Sequence, residues 1–418
     1  MDKLNIGLRQ TAGPLKGFLR WLVLSCLMGL GIGAVAVIFH LGIDLVTELR
    51  MTHPILLLAL PAVGVVIVGL YQICGMAHDR GTNQIFVCVR SATPVRLRTA
   101  PLIFISTILT HLAGGSAGRE GAALQLGGSM AAAVGRAIRL DEKDERIMVM
   151  CGMSAAFSAL FGTPLTAAIF SLEVVSVGVM YYAAIVPCLF SALTALEVAK
   201  FMGLPPAGYT VTGIADVSML SMGQAALMGG ACALLSILFC KAMHTAPHLY
   251  DRITKKPLLR AALGGLIIFT LTTLVGSQDY NGAGGHIITQ ALAGEARPEA
   301  FLLKILFTAV TLGAGFRGGE IVPILFTGAT FGCVAGPLAG LSPSFGAALA
   351  MAALFCGATN CPISSMLLAF ELFGGQSLPL FALCCWVSYM LSGYFGLYAE
   401  QKIVYSKFRT EWVDKKAH

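Results

Sequence analysis

The chain has 418 residues, of which 56% are hydrophobic and only 12% are charged, against about 25% charged in an ordinary globular domain. With 48 glycines and a net charge of +7, this composition excludes disordered, collagen-like and disulfide-stapled secreted chains and points to a polytopic helical membrane protein. The basic residues lie in clusters between apolar runs rather than in one stripe, which excludes a nucleic-acid surface.

In chain order, Lys3, Arg9, Lys16 and Arg20 precede a first apolar run at 21–43. Further runs at 55–74 and 100–117 bracket Arg90, Arg96 and Arg98; Arg136, Arg139, Lys143 and Arg146 come before runs at 147–172 and 174–196. A run at 217–240 is followed by Arg252, Lys255, Lys256 and Arg260, then by runs at 261–276 and 301–315. An uncharged stretch from Ile321 to Phe370 is too long for one span of about 20 residues, and Gly336-Pro337, Gly340 and Pro343 mark its breaks. A last run, 372–399, ends before Lys402, Lys407, Arg409, Lys415 and Lys416.

By the positive-inside rule these clusters, and with them both termini, face the cytoplasm. Residues 203–240, which carry no Lys or Arg, supply the opposite side. The first run is long and lacks a small-residue cleavage site, which argues against a removed signal peptide. The expected organisation is a basic segment 1–20, a first membrane repeat 21–202, a connecting loop 203–216, a second repeat 217–401 and a basic tail 402–418. Both tails are too short to fold alone. The twelve cysteines form no C-x-x-C pair and the eight histidines no H-E-x-x-H, so the sequence implies neither a metal site nor a cofactor, and the thiols read as small buried hydrophobes.

An internal repeat carries the most information. Cys151-Gly152, Pro164-Leu165-Thr166 and Glu173 recur as Cys356-Gly357, Pro362-Ile363-Ser364 and Glu371, with nine residues from proline to glutamate in both copies. Gly118-Arg119-Glu120-Gly121 matches Phe316-Arg317-Gly318-Gly319-Glu320, and Gly81-Thr82-Asn83-Gln84-Ile85 is echoed by Gly282-Ala283-Gly284-Gly285-His286-Ile287. Shared small-residue helix contacts alone would not keep three landmarks in order. Two similar membrane halves mark a transporter built from repeats, usually of opposite topology.

The glycine-rich turns at 81–85, 113–121 and 313–319 allow helices to begin in mid-membrane with free N–H groups aimed at a cavity, where they bind anions without a full cation. Glu120 stands just before an uncharged stretch, Gly121 to Gly135, and an acid so placed is a functional candidate. Its carboxylate mimics a bound anion at a helix start, and protonation removes that attraction, so one residue can both compete with an anion and carry a proton. Glu320 is placed similarly. The structural alternative is an ion pair of either acid with Arg119 or Arg317. Glu173 and Glu371, recurring symmetrically, read as helix-end hydrogen-bonding residues. Gly114-Gly115-Ser116-Ala117-Gly118 also fits the G-x-S-x-G elbow of serine hydrolases, with His111 nearby, but that elbow needs a preceding strand and the flanks here read as helical. His111 and His286 otherwise read as packing residues.

Together these residues resemble the CLC family of chloride channels and anion/proton exchangers. Gly118-Arg119-Glu120-Gly121-Ala122 is similar to its G-R-E-G-P motif, and Gly319-Glu320-Ile321-Val322-Pro323 to its G-x-F-x-P. The resemblance extends over nearly the whole chain. It implies an all-α fold of two inverted-topology repeats with tilted and discontinuous helices, and a homodimer with one anion pathway per subunit. It makes Glu120 the gating and proton-transferring glutamate. The anion would be held by Gly81, Thr82, Asn83, Gly118, Arg119, Gly121, Ile321 and Val322, and by a tyrosine hydroxyl from Tyr398, with Tyr394 as the alternative.

Glu320 within the second motif resembles the fluoride/proton antiporter branch, in which this second glutamate is tied to proton coupling and the internal glutamate of the chloride exchangers is absent. That branch has Asn or Met after the glycine where this chain has Thr82 followed by Asn83; the Thr82 hydroxyl is closer to the serine of the chloride branch. Fluoride demands strong donors to replace its water, and Asn83, Thr82, Tyr398 and the backbone N–H groups of 321–323 are the candidates. The implied function is export of fluoride in exchange for protons, with a chloride/proton exchanger or passive chloride channel as the alternative and no enzymatic activity.

Overall fold

The computed structural model describes residues 2–91 and 93–417, with side chains from Gly13 onward. Lys3 and Arg9 of the basic N-terminal segment therefore lie outside the described side chains. The described residues form sixteen α-helices, and the halves of the chain repeat each other element for element. The first half holds α1 (Asp2–Thr52), α2 (Leu60–Ile73), α3 (Thr82–Ser91), α4 (Thr99–Ala113), α5 (Glu120–Ala137), α6 (Glu142–Phe161), α7 (Pro164–Glu173) and α8 (Ile185–Phe201). The second half holds α9 (Met219–Ile253), α10 (Pro257–Val275), α11 (Gly285–Leu292), α12 (Ala300–Gly313), α13 (Ile321–Ala335), α14 (Pro343–Thr359), α15 (Pro362–Phe373) and α16 (Leu378–Leu391).

Five helical segments are long and apolar enough to cross a bilayer: 13–52, 54–73, 182–201, 219–253 and 257–275. Their outward side chains are apolar, as at Ile73 (86% exposed), Leu274 (77%) and Leu45 (68%), which suits a lipid solvent. Six further apolar helices have only 10–17 residues. At 1.5 Å per residue they fall short of a hydrocarbon core of about 30 Å, so they must end inside the protein, where other protein groups satisfy their termini.

The apolar run 147–172 is two helices rather than one. Gly162 takes a left-handed conformation (φ 70°) at the end of α6, and Pro164, which lacks an N–H, can only begin the next helix. The stretch 321–370 breaks at 336–342 as its Gly and Pro residues predict. It breaks again at Asn360 (φ 59°), an asparagine performing the same turn before Pro362.

Matching pairs pack in the two halves: α5 on α6 and α13 on α14, α6 on α8 and α14 on α16, α1 on α8 and α9 on α16. Glycine permits the tightest of these approaches. A Cβ at Gly127 would overlap the Gly152 carbonyl of α6, and one at Gly332 would overlap the Gly346 carbonyl of α14.

The repeated glutamates join the halves. Glu173, at the end of α7, accepts hydrogen bonds from Ile363 N (3.0 Å), Ser364 N (2.9 Å) and Ser364 Oγ (2.5 Å) at the start of α15. Glu371, at the end of α15, accepts from Leu165 N, Thr166 N (both 2.8 Å) and Thr166 Oγ (2.6 Å) at the start of α7. Each carboxylate thus caps the other helix's unsatisfied N–H groups, with the charge at the favourable dipole end. The Glu173 cap is buried, whereas the Leu165 bond is exposed. We therefore expect Glu173→Ala to cost about 3 kcal/mol or more, because buried donors lose a charged acceptor, and Glu371→Ala to cost less. Thermal unfolding of the two variants in detergent checks the order.

The C-terminal tail departs from the helical pattern. Strand β2 (Lys402–Tyr405) pairs in parallel with a short β1 (Ser176–Val177) and antiparallel with β3 (Trp412–Lys416), so the tail folds by using the body as its third strand. Glu400 anchors it, its carboxylate meeting Lys416 (2.8 Å), Arg80 (3.2 Å) and Arg90 (3.6 Å); the Lys416 ammonium, then Arg80 and Arg90, hold that carboxyl below its usual range. Ten of the twelve cysteines are buried and the other two half-buried, as free thiols.

Candidate anion and proton pathway

The repeats meet at their glutamates. Gly118 N donates to Gly319 O (2.6 Å) and Gly319 N to Gly118 O (2.7 Å), an antiparallel bridge between the segments leading into α5 and α13. Only glycine fits: a Cβ on Gly319 would lie 2.5 Å from Gly121 N. Helix α5 therefore begins at Glu120, and α13 begins directly after Glu320, on either side of one point. The free backbone donors there are those of the first turns. Pro323 has no N–H, so the candidate donors of 321–323 reduce to Ile321 and Val322.

The two carboxylates line different cavities. Glu120, almost fully buried, borders a cavity of about 310 Å³ together with Asp44, Arg50, Arg119, Tyr209, Gly285, His286 and Val322. Its Oε2 accepts from Arg119 N (3.0 Å), so the carboxylate folds back on its own helix start as a bound anion would. Arg119 Nε lies 3.4 Å from Glu120 Oε1, while its NH1 donates to Asp44 (2.9 Å), which also meets His40 Nε2 (3.0 Å). The ion-pair alternative thus holds in part for Glu120. For Glu320 it does not: Arg317 lies 3.7 Å from Asp79 and stacks 4.1 Å over the Tyr71 ring.

Glu320 borders a second cavity of about 140 Å³ with Gly81, Thr82, Asn83, Gln125, Arg317 and Tyr398. Its Oε2 and the Tyr398 hydroxyl are buried without a hydrogen-bond partner among the described residues. Tyr398 stands edge-on to Phe86 (4.9 Å between ring centres), which fixes its ring. The alternative tyrosine is engaged elsewhere, with Tyr394 Oη bonded to Ser406 Oγ (3.0 Å). Thr82 donates its hydroxyl proton to Gly121 O (3.2 Å) and accepts from Gln125 Nε2 (3.2 Å). Asn83 Oδ1 accepts from Glu400 N (3.0 Å), leaving its NH2 group to donate.

The sequence candidates therefore divide. Gly81, Thr82, Asn83, Tyr398 and Glu320 line the smaller cavity and Arg119, Val322 and Glu120 the larger, while Gly118, Gly121 and Ile321 line neither and Gly118 forms the bridge with Gly319. Asp44, Arg50 and Gln125 escaped the sequence reading. Asp44 and Arg50 lie at the end of an ordinary apolar run, but Gln125 had a signal, being the one amide in the uncharged stretch after Glu120. The hydrolase elbow is not formed: helix α4, not a strand, leads to Ser116, whose hydroxyl bonds Thr308 Oγ1 (3.0 Å), and the His111 ring bonds Thr107 O (2.9 Å) of its own helix.

Residues 64–393 match the family model described as voltage gated chloride channel. The chain belongs to that family, the CLC channels and exchangers. A chloride/fluoride channel protein of Pseudomonas syringae pv. tomato is 35% identical over 395 residues, covering 93% of this chain and 87% of that protein. The H(+)/Cl(-) exchange transporter ClcA of Vibrio vulnificus is 26% identical over 391 residues, 86% of this chain and 83% of its own. Among solved structures, a CLC-type fluoride/proton antiporter superposes with a TM-score of 0.89 at 32% identity, over 92% of this chain and 98% of its own. A slow cyanobacterial Cl-/H+ antiporter shares the fold (TM-score 0.76, 19% identity, 89% and 94% covered). The inverted-repeat CLC fold read from the sequence is the fold observed, and the chain is a membrane anion transporter of the CLC type.

Proposed function

We propose that this CLC protein exports fluoride from the bacterial cytoplasm in exchange for protons. The observation that carries the reading is Glu320: a second carboxylate, in no ion pair among the described residues, facing a small cavity beside Tyr398 while Glu120 faces the opposite one. A carboxylate on each side of one partition gives a proton a station at both ends. The likeness to a solved fluoride/proton antiporter at 32% identity supports the same choice.

Charge placement supports the direction. Arg20 pairs with Asp144 (2.7 Å), Arg136 bonds Val95 O (2.7 Å), and Glu400 joins Arg80, Arg90 and Lys416, so both ends of the chain share one basic face with the smaller cavity. The larger cavity meets Ala207 and Tyr209 of the loop without Lys or Arg. The positive-inside rule then puts the smaller cavity in the cytoplasm and the larger one outside. Fluoride enters from the cytoplasm towards Tyr398, Asn83 and the first N–H groups of α5 and α13, which replace its water with dipoles at little desolvation cost. An external proton on Glu120 neutralises the gate, opens the partition and passes on by way of Glu320. One chain lines both cavities, so in the homodimer each subunit carries a complete pathway.

The test is flux from liposomes loaded with fluoride or with chloride. Fluoride efflux accompanied by proton uptake, with chloride efflux much slower, is the expected result. Comparable chloride efflux would move the protein to the chloride/proton exchangers, the reading that the Thr82 hydroxyl favours.

A further inference from the structure

We propose that Gln125 is a positioning residue that couples anion occupancy of the smaller cavity to the protonation of Glu320. The inference rests on the proton-coupled reading above.

Gln125 lies one turn after Gly121 on the same face of α5, a residue whose carbonyl holds Thr82 and whose Cα approaches Glu320. It is 3% exposed and lines the cavity with Glu320 and Tyr398. Its Oε1 has no partner among the described residues, so with Glu320 Oε2 and the Tyr398 hydroxyl three orphaned buried polar atoms belong to the lining of one cavity of about 140 Å³. Orphaned polar atoms are costly, and so many around one small cavity call for a polar occupant.

The repeat supplies an internal control. The two glutamates, Glu120 and Glu320, are each followed five residues later by the residue in question. In the second half that residue is Leu325, which lines the other cavity. The helix position thus accepts an apolar side chain of similar size, and an amide is not required for packing.

An amide serves two occupants because it both donates and accepts. In the orientation observed, Nε2 holds Thr82 and Oε1 is left unpartnered among the described residues, an acceptor for the O–H that Glu320 would carry when protonated. Rotated half a turn, the group presents NH2 to an anion while Oε1 accepts the Thr82 hydroxyl proton, which turns away from Gly121 O to reach it. Deprotonated Glu320 is an acceptor only, so it leaves Oε1 unmatched and favours the rotated form. Gln125 itself neither gains nor loses a proton; it matches the cavity to a protonated acid in one orientation and to an anion in the other.

The test compares wild type, Gln125→Leu and Gln125→Glu in liposomes, recording fluoride efflux and proton uptake across pH. Leucine, already used at the mirrored position, is expected to keep the fold, to slow fluoride efflux by removing one donor from the cavity, and to reduce protons moved per fluoride at least threefold. A protonated glutamic acid offers one donor and one acceptor like the amide, so Gln125→Glu is expected to recover coupling on acidification while Gln125→Leu stays uncoupled at every pH. Wild-type coupling in Gln125→Leu, or the same pH profile in both variants, overturns the role. Wild type that moves fluoride without protons overturns it together with the antiport reading, which keeps the two failures apart.

Discussion

Replacing Glu120 by glutamine is expected to abolish proton movement coupled to anion flux, a loss of at least about a hundredfold, the scale on which a positioned proton carrier acts. The amide keeps the volume and still accepts from Arg119 N, which now bonds Oε2 at 3.0 Å. It lacks the charge that competes with an anion at the start of α5 and the proton that relieves the competition. The partition at Gly118 and Gly319 is built from backbone and survives the change. Any anion movement that remains must therefore be passive. Proton uptake with a pH indicator in liposomes holding the variant reads the effect, and coupled exchange at the wild-type ratio would overturn the assignment of Glu120.

Glu320→Gln should have the second largest effect. Among the residues lining the smaller cavity, Glu320 is the only carboxylate, and Arg317, which also lines it, pairs with Asp79 and stacks on Tyr71. No other side chain there can take up a proton as a carboxylate does. We expect protons moved per fluoride to fall about tenfold or more, less than the hundredfold scale of a positioned acid–base group, while Tyr398, Asn83 and the backbone donors stay in place. A purely structural glutamate would instead show as lost thermal stability with the ratio unchanged, so measuring both quantities on the same preparation separates the two roles.

The fold was legible because membrane helices announce themselves and because the halves share landmarks. The paired Pro164/Glu173 and Pro362/Glu371 segments anticipated helix-end bonds for the two glutamates, and the glycine turns anticipated where α3, α5 and α13 begin. Helix breaks inside unbroken apolar runs were harder to see. Gly162-Thr163-Pro164 and Asn360-Cys361-Pro362 interrupt hydrophobicity by only a residue or two, since a buried turn needs a left-handed residue and a proline rather than a polar loop.

The folded tail was invisible for a different reason: β2 and β3 are completed by Ser176–Val177, more than 200 residues upstream. At the site, the acids and tyrosine could be named from their motifs, but the division into two cavities could not, because it depends on an inverted repeat closing on itself. The commitment of Thr82 to Gly121, and of Asn83 Oδ1 to the backbone of Glu400, are likewise tertiary facts. They leave the hydroxyl that resembles the chloride branch with its proton already given away.

The central claim is that fluoride and protons move in opposite directions through one subunit. It is tested most directly in liposomes with equal pH on both sides and a tenfold outward fluoride gradient, the membrane potential being clamped at zero. Fluoride leaving is expected to drive protons in, acidifying the lumen below the outside pH, and Glu120→Gln is expected to remove that acidification. Fluoride efflux with the lumen held at the outside pH would contradict it and leave a passive anion channel.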